Sequence, residues 1–162
     1  MSNRSTIFHE LYDRYSDDVY RFAFWLTGNP QDARDITSEA FVRIWTAPEE
    51  PRLESVKAYL FTIARNLHLK QKRRSSRLEG LDEQMPDTTA SPDVTAEQVD
   101  ELRRTLAAVQ QLPEIDRLVL LLRADEELSY EEIAAVTGLS VTAAKVKVFR
   151  ARTKLATLLK TE

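Results

Sequence analysis

One segment near the end of the chain, from Leu128 to Leu155, constrains the fold most strongly. Ser129 is followed three residues later by Glu132, which is the capping-box pattern of a helix start. Gly138 supplies the left-handed conformation that ends a helix and permits a sharp change of direction. Ser140 is the next N-cap, and a longer basic helix follows it. The segment therefore predicts a helix-turn-helix of the kind that binds the major groove of DNA.

The longer helix of this segment, expected to end near Leu159, is amphipathic. One face repeats small and aliphatic residues at helical spacing and should pack on a core. The opposite face combines small residues with cations. Residues 140–162 hold six Lys and Arg residues and only one acid, so this segment is strongly positive. A solvated basic face is the alternative interpretation. The side chains predicted to face DNA are Thr142, Ala143, Lys145, Val146, Lys147, Phe149, Arg150 and Lys154.

The distribution of charge supports nucleic-acid binding although the total does not. The chain has 162 residues and a formal net charge of −3. Residues 51–78 carry +7 and residues 140–162 carry +5, whereas residues 79–101 between them carry −8. Because attraction to phosphate is local and is screened beyond about 10 Å, the two basic blocks matter more than the total.

Several classes of protein are disfavoured by what the sequence lacks. The chain has no cysteine, so we expect no disulfide and no thiolate metal site. His68 has no ligand neighbour at metal spacing, and no acid–base pair, phosphate loop or nucleophile motif points to an enzyme or a cofactor. No apolar run approaches the roughly 18 residues of a membrane span, and MSNRSTIFHE lacks the apolar core of a secretory signal. We expect a cytoplasmic protein with no membrane insertion.

The N-terminal part predicts helices and no strands. Apolar residues at helical spacing indicate one helix, or two that abut near Ser16, ending at Gly28–Pro30. A further helix from about Gln31 to Thr46 should bury Ala33, Ile36, Ala40, Phe41 and Ile44, with Trp45 as an additional candidate. Its acids recur at spacings of three and four and form one exposed stripe, which by itself is typical of a solubilising surface. These acids are Asp32, Asp35 and Glu39.

A third helix, from about Ser55 to Arg74, carries the first basic block. Its expected core stripe is Val56, Tyr59, Leu60, Ile63 and Leu67. Another face presents Lys57, Phe61, Arg65, His68 and Lys72. An aromatic ring among cations suits stacked bases and a phosphate backbone. Equally, Phe61 could pack on a neighbouring helix while the cations remain solvated.

The remaining pattern predicts an all-α fold of two small helical domains. Residues Ser75 to Pro92 are polar and acidic and contain two prolines, which is typical of a flexible linker. We therefore place one domain at residues 1–76, the linker at 77–93 and a second domain at 94–162. The second domain should begin with helices over Thr95–Gln111 and Pro113–Arg123, with Pro113 as the first helical residue.

Four motifs, with the helix-turn-helix, resemble the extracytoplasmic-function (ECF) group of bacterial sigma factors. They are LYDRYSDDVYRFA, DARDITSEAFVRIW, VKAYLFTIARNLHLKQKRR and LPEIDRLVLLLRADEELSYEEIA, and they occur in the family's order. The resemblance covers nearly the whole chain except the linker. It implies a non-enzymatic specificity subunit of RNA polymerase, with an N-terminal domain similar to sigma region 2 and a C-terminal domain similar to region 4.

The resemblance also implies roles for individual residues. Asp32, Asp35, Glu39 and Arg43 would dock on the clamp helices of the largest polymerase subunit. The third helix would read and help open the minus-ten element of promoter DNA through Tyr59, Phe61, Arg65, Asn66, Lys70, Lys72, Arg73 and Arg74. The C-terminal domain would read the minus-thirty-five element in duplex form, and the flap of the second-largest subunit and an anti-sigma factor are further expected partners.

The chain departs from the family pattern at four positions. Arg34 stands where an acid is common and Ser38 where glutamine is common, so polymerase affinity is expected to differ. Val146 and Phe149 occupy positions that are more often polar, which predicts base readout through apolar contact with thymine methyl groups.

Two other classes of protein are alternatives to a sigma factor. A helix-turn-helix regulator that does not join polymerase should carry a receiver or ligand domain of alternating strands and helices, and the N-terminal pattern has neither. An all-helical adaptor gives no reason for two separate basic blocks.

Overall fold

The computed structural model describes residues 2–47, 56–77 and 95–160. All regular structure within these ranges is helical, which confirms the predicted all-α class. The helices are α1 (Ser2–Thr27), α2 (Pro30–Thr46), α3 (Val56–Arg77), α4 (Ala96–Gln111), α5 (Glu114–Leu120), α6 (Tyr130–Thr137) and α7 (Val141–Lys160). The predicted linker lies outside the described residues except at its start, where α3 extends to Arg77.

The turn between α1 and α2 follows the local chemistry of its residues. α1 is one continuous helix, and Gly28 adopts a φ of 70° immediately after it. The Asn29 side chain then accepts hydrogen bonds from the backbone amides of Gln31 and Asp32, at 2.8 and 3.1 Å. Pro30 occupies the first turn, where its missing amide costs no hydrogen bond. Together these residues fix the angle at which α2 leaves α1.

The buried face of α2 is the predicted one, with Trp45 as the exception. Ala33, Ile36, Ala40, Phe41 and Ile44 are all buried. The prediction for Trp45 is wrong, because its side chain is 46% exposed. Its ring lies edge-on to Phe8, with 4.9 Å between the ring centroids, and so covers the rim of the core from outside.

The burial of two aromatic residues of α3 is the reverse of the prediction. Phe61 is 0% exposed and its ring lies 4.8 Å from that of Phe22, whereas Tyr59 is 41% exposed. The placement of Tyr59 in the core stripe is therefore wrong, and so is a solvent-facing Phe61. The reason is that α3 packs on α1, α2 and α6. Its buried face is therefore shifted around the helix to include Ala58, Phe61 and Ala64, and it leaves out Tyr59.

The C-terminal helices begin and end at chemical signals that the sequence displays. Thr95 and Gln98 form a capping box on α4. Pro113 is the N-cap of α5 rather than its first residue. α5 then passes into a π-helical turn over Leu121–Asp125, in which the backbone amide of Glu126 donates to the carbonyl of Leu121 at 3.1 Å.

The helix-turn-helix has the predicted form. Ser129 and Glu132 make the reciprocal hydrogen bonds of a capping box at the start of α6. Gly138 has a φ of 79°, and the Ser140 hydroxyl accepts from the amide of Ala143 at 3.0 Å. α6 and α7 therefore meet at a tight turn that presents α7 outward.

The two halves of the chain share one hydrophobic core. A single cluster of buried side chains includes Val19, Phe22 and Leu60 from the first half and Leu122 and Ile133 from the second. α3 packs on α6, and α1 packs on α4 and on the π-helical turn. Because a small helical unit buries only a limited fraction of its apolar surface, the shared core stabilises both halves. The sequence predicted two domains and gave no indication of how they are arranged.

Candidate functional sites

The outward face of α7 is a candidate surface for DNA. Phe149 is 72% exposed, and Val146, Thr142, Lys145 and Arg150 are also exposed. Beneath them the residues predicted for the core face, Ala144, Val148 and Ala151, are buried. The packed side holds the helix rigidly, and the exposed side offers cations around an apolar centre that suits a base edge carrying a methyl group.

Two lysines of the predicted α7 surface are engaged by an acid of α5. The Nζ of Lys154 lies 3.3 Å from Asp116 Oδ2, and the Nζ of Lys147 lies 4.0 Å from Asp116 Oδ1. Asp116 is itself buried. Both cations are therefore paired with Asp116, although the Lys154 side chain is still 55% exposed, while Lys145 and Arg150 are exposed.

The face of α3 that was predicted to bind DNA is covered by the second half of the chain. The Lys57 ammonium donates to the backbone carbonyl of Glu126 at 2.9 Å, and Phe61 lies in the shared core. His68 and Lys72 both bond to the carboxylate of Glu114. The prediction of Phe61 as a base-stacking surface is wrong for this arrangement, and the alternative, packing on a neighbouring helix, is confirmed.

Apart from Lys72, which bonds to Glu114, the rest of the predicted minus-ten set lies outside the covered face of α3. Arg65 is half-buried and its Nη1 lies 3.2 Å from Asn66 Oδ1. The other members of the set have exposed side chains: Tyr59, Asn66, Lys70, Lys72, Arg73 and Arg74. A ring and several cations are thus exposed on α3 although Phe61 is buried.

The acidic stripe of α2 borders the same region. Asp35 and Glu39 are exposed, and Arg43 Nε lies 3.6 Å from Glu39 Oε1. Asp32 is half-buried, and burial together with repulsion from Asp35 raises the pKa of this carboxyl. A cleft of about 520 Å³ between α2 and α3 is lined by Asp35, Ile36, Ser38, Glu39, Val42, Arg43, Leu67, Lys70, Gln71 and Arg74. The predicted docking stripe and the predicted DNA surface therefore meet at one cleft.

A carboxyl group that no sequence pattern predicts is buried where the two halves meet. The Glu126 side chain is 0% exposed. It lies 3.1 Å from Arg21 Nη2 of α1 and 3.8 Å from Lys57 Nζ of α3, and Arg21 Nε also donates to Asp125 at 3.0 Å. Burial raises the pKa of Glu126 to about 7, with Arg21 opposing the rise. Glu126 directly follows the π-helical turn Leu121–Asp125 as its C-cap, and its carboxyl group points inward from there.

Glu114 is a second acid at this boundary. Burial alone would raise the pKa of this carboxyl, but hydrogen bonds from Lys72 and His68 outweigh burial and lower it. Glu114 lies 46 residues from His68 along the chain, so the spacing of residues in the sequence does not reveal it as the partner of His68. The described residues contain no group of three or more side chains placed to hold a metal ion.

Arg117 of α5 links the two halves, because its side chain donates hydrogen bonds to backbone carbonyls in both of them. Its guanidinium donates to the carbonyl of Leu26 in α1 at 2.8 Å, and to the carbonyls of Val109, Gln110 and Leu112. Gln110 donates to the carbonyl of Trp25 at 2.7 Å. Carbonyls at the end of a helix have no partner within it, so the second half of the chain caps the C-terminus of α1.

Comparison with known proteins identifies the family. The family model Sigma-70 region 2 matches residues 11–78, and Sigma-70, region 4 matches residues 102–155. The ECF RNA polymerase sigma factor EcfG of Rhodopseudomonas palustris (strain TIE-1) is 37% identical over 160 residues, which cover 92% of this chain and 87% of that protein. The chain belongs to the ECF sigma factors.

Other ECF sigma factors resemble this chain over most of its length. SigE of Mycolicibacterium smegmatis (strain ATCC 700084 / mc(2)155) is 34% identical over 90% of this chain, which spans only 59% of the length of SigE. A solved structure of the sigma factor RpoE from Bartonella quintana, in complex with the anti-sigma factor NepR, is 27% identical with a TM-score of 0.79. That comparison covers 96% of this chain and 98% of the RpoE chain, so both halves and their relative placement are similar.

The family models coincide with the two halves of this ECF sigma factor. Region 2 takes in all of α2 and α3 and about two thirds of α1, and region 4 takes in all of α5 and α6 and most of α4 and α7. The boundary lined by Glu114, Arg117 and Glu126 therefore separates region 2 from region 4. None of the helices in the described ranges is long and apolar enough to cross a membrane.

Proposed function

We propose that this ECF sigma factor binds core RNA polymerase and directs it to promoters whose minus-ten and minus-thirty-five elements are read by α3 and α7. The observation that carries the proposal is the exposure of three separate surfaces in a chain of this family: the acidic stripe of α2, the uncovered side of α3 and the outer face of α7. Each surface suits binding rather than catalysis.

The acidic stripe of α2 is a suitable docking surface because the opposite face of the helix is packed against the core. Five buried residues hold α2 against the core, so the carboxylates of Asp35 and Glu39 keep a constant spacing at the surface. Basic groups on the clamp helices of the largest polymerase subunit would complement them. Complementary charges of this kind fix register and accelerate association.

The arrangement of the two regions supports an anti-sigma factor as a partner. RpoE was solved with NepR bound, and its two regions are placed similarly to those of this chain. We propose that an anti-sigma factor binds this chain in the arrangement described above. Polymerase, promoter DNA and the anti-sigma factor are then its three partners.

Transcription by reconstituted holoenzyme tests the function. Wild-type protein mixed with core polymerase is expected to yield discrete transcripts from genomic DNA fragments. Reversing the stripe with Asp35→Arg and Glu39→Arg is expected to weaken polymerase binding at least about tenfold, because like charges would then face each other. Fluorescence anisotropy of labelled protein titrated with core polymerase measures the loss.

A matched control keeps the number of reversed charges the same. Asp100 and Glu101 are exposed acids on α4, so Asp100→Arg with Glu101→Arg should leave polymerase affinity unchanged. Equal affinity of the α2 variant and wild type, or the absence of promoter-specific transcripts with wild type, would contradict the proposed function.

The outer face of α7 yields a prediction about sequence preference. Val146 and Phe149 are exposed at the centre of this face, where apolar contact with a thymine methyl group discriminates bases. Val146→Ser is expected to cost about 1 kcal/mol in affinity for the selected minus-thirty-five site and to relax its preference at one base pair. Binding-site selection with both proteins measures this change, and identical selected sequences would rule out readout by Val146.

A further inference from the structure

The outer face of α7 has an apolar centre that offers no hydrogen bond to a base edge. Val146 is 41% exposed and Phe149 is 72% exposed, and neither side chain carries a donor or an acceptor. Thr153, one turn further along the same stripe, donates its hydroxyl hydrogen to the carbonyl of Phe149 at 3.1 Å. Val146 and Phe149 therefore contact a base edge only through their apolar surface.

The position of these two residues is fixed by the opposite face of the same helix. Ala144, Val148 and Ala151 are buried there. Residues three apart on a helix have Cβ atoms about 5–6 Å apart, and B-DNA rises about 3.4 Å per base-pair step. When α7 lies in the major groove, as the proposed function requires, Val146 and Phe149 therefore cover about one or two base-pair steps.

The other side chains of α7 do not select the base opposite the contacted pyrimidine. The helix contains no asparagine or glutamine, which pair with adenine, and no acid, which accepts from the cytosine amino group. Its flanking cations, Lys145 and Arg150, are exposed and suit the O6 and N7 atoms of guanine. The face therefore has no requirement for the adenine that accompanies thymine, and a guanine in its place is compatible with binding.

We propose that α7 reads the C5-methyl group of a pyrimidine rather than thymine as a whole, so that 5-methylcytosine replaces thymine at the base pairs that Val146 and Phe149 contact. This inference rests on the proposed function, because it concerns the minus-thirty-five element. In the major groove thymine presents its methyl group beside the O4 acceptor, and cytosine presents the N4 donor. Methylation at C5 gives cytosine the same methyl group, and an apolar side chain forms no hydrogen bond that distinguishes O4 from N4. Methylation of a cytosine in the element therefore strengthens binding of this sigma factor.

Binding of reconstituted holoenzyme to matched duplexes tests the inference. The duplexes carry the minus-thirty-five sequence obtained by binding-site selection, and each thymine in turn is replaced by deoxyuridine, cytosine or 5-methylcytosine with its matching partner base. Thymine differs from deoxyuridine only in the methyl group, as 5-methylcytosine differs from cytosine. At the contacted base pairs we expect thymine to bind about fourfold more tightly than deoxyuridine, and 5-methylcytosine about fourfold more tightly than cytosine, as for one buried methyl group. Competition fluorescence anisotropy measures both ratios.

Variants of α7 assign the methyl contact to particular residues. Val146→Ala and Phe149→Ala are each expected to reduce both ratios to less than about 1.5-fold at the base pair that the residue contacts, because alanine does not reach the methyl group. Leu159→Ala is the matched control. It shortens another exposed apolar residue of α7, 40% exposed, about 20 Å along the helix from Val146, and should leave both ratios unchanged. Circular dichroism confirms that each variant remains helical.

The outcomes distinguish methyl readout from the proposed function. Equal binding of the thymine and deoxyuridine duplexes at every position overturns methyl readout. A preference for thymine over deoxyuridine without one for 5-methylcytosine over cytosine overturns the replacement of thymine by 5-methylcytosine. Undiminished ratios in both the Val146→Ala and the Phe149→Ala variants overturn the assignment to these residues. If wild-type holoenzyme selects no minus-thirty-five sequence at all, the proposed function itself fails, and the inference fails with it.

Discussion

Replacing Phe61 with alanine is expected to lower the free energy of unfolding by about 3–5 kcal/mol. The ring is 0% exposed and packs edge-to-face on Phe22 at 4.8 Å, so its removal leaves a cavity in the core that both regions share. Urea denaturation followed by circular dichroism measures the loss. Because this core spans regions 2 and 4, the two regions should lose stability together.

The neighbouring Tyr59 provides the contrasting variant. Tyr59 is 41% exposed, so Tyr59→Ala should change the free energy of unfolding by no more than about 1 kcal/mol. It should instead weaken single-stranded DNA binding by about 1–3 kcal/mol through lost stacking. If Phe61→Ala left stability unchanged and Tyr59→Ala destabilised the fold, the positions assigned to the two rings would be wrong.

Raising the pH from about 5 to about 8 is expected to destabilise the wild-type protein by about 3 kcal/mol more than a Glu126→Gln variant. The pKa of Glu126 is raised from 4.5 to about 7 in the folded protein. The folded state therefore holds this proton more tightly than the unfolded state does. The resulting stabilisation is fully present below about pH 4.5 and is lost as the pH rises through about 7.

The groups around Glu126 determine the direction of this pH dependence and the choice of Glu126→Gln as the control variant. Burial raises its pKa most, Arg21 and Lys57 oppose the rise, and Asp125 and Asp18 add to it. The pKa of Glu114 is lowered, so its contribution is lost only as the pH falls below its ordinary value, outside this window. Glutamine has nearly the shape of glutamate and does not ionise. Parallel pH dependences of wild type and Glu126→Gln in urea denaturation would exclude Glu126 as the source.

Helix boundaries could be predicted because their causes are local in sequence. Asn29 and Pro30 start α2, Ser129 with Glu132 starts α6, and Gly138 ends it. Each signal acts within four residues, so no knowledge of distant packing is needed. The same is true of the buried face of α7, which contacts its own helix-turn-helix partner and α5.

The choice between Tyr59 and Phe61 could not be made in this way. Positions two residues apart on a helix point about 200° apart, so Tyr59 and Phe61 flank the apolar stripe of α3 on opposite sides. Which one is buried depends on tertiary packing, because the Phe61 ring lies against Phe22 of α1. An aromatic residue between cations therefore predicts a binding surface without revealing whether its partner is DNA or another helix of the same chain.

The boundary acids escaped prediction for the same reason. Glu114 and Glu126 lie in a part of the sequence rich in acids, where exposure is the ordinary expectation. Their partners His68 and Arg21 lie 46 and 105 residues away along the chain. Only tertiary structure brings these charges together.

The π-helical turn at Leu121–Asp125 has a consequence for how this boundary is encoded. A π turn holds one residue more than an α turn, and each residue rotates the following chain by about 100°. Deleting a single residue from this turn would swing Glu126 away from Arg21 and Lys57 without changing any of the three side chains. The attraction between regions 2 and 4 thus depends on the direction in which this turn points Glu126, as well as on the identities of the charged residues. An insertion or deletion in the turn changes that attraction as a substitution does.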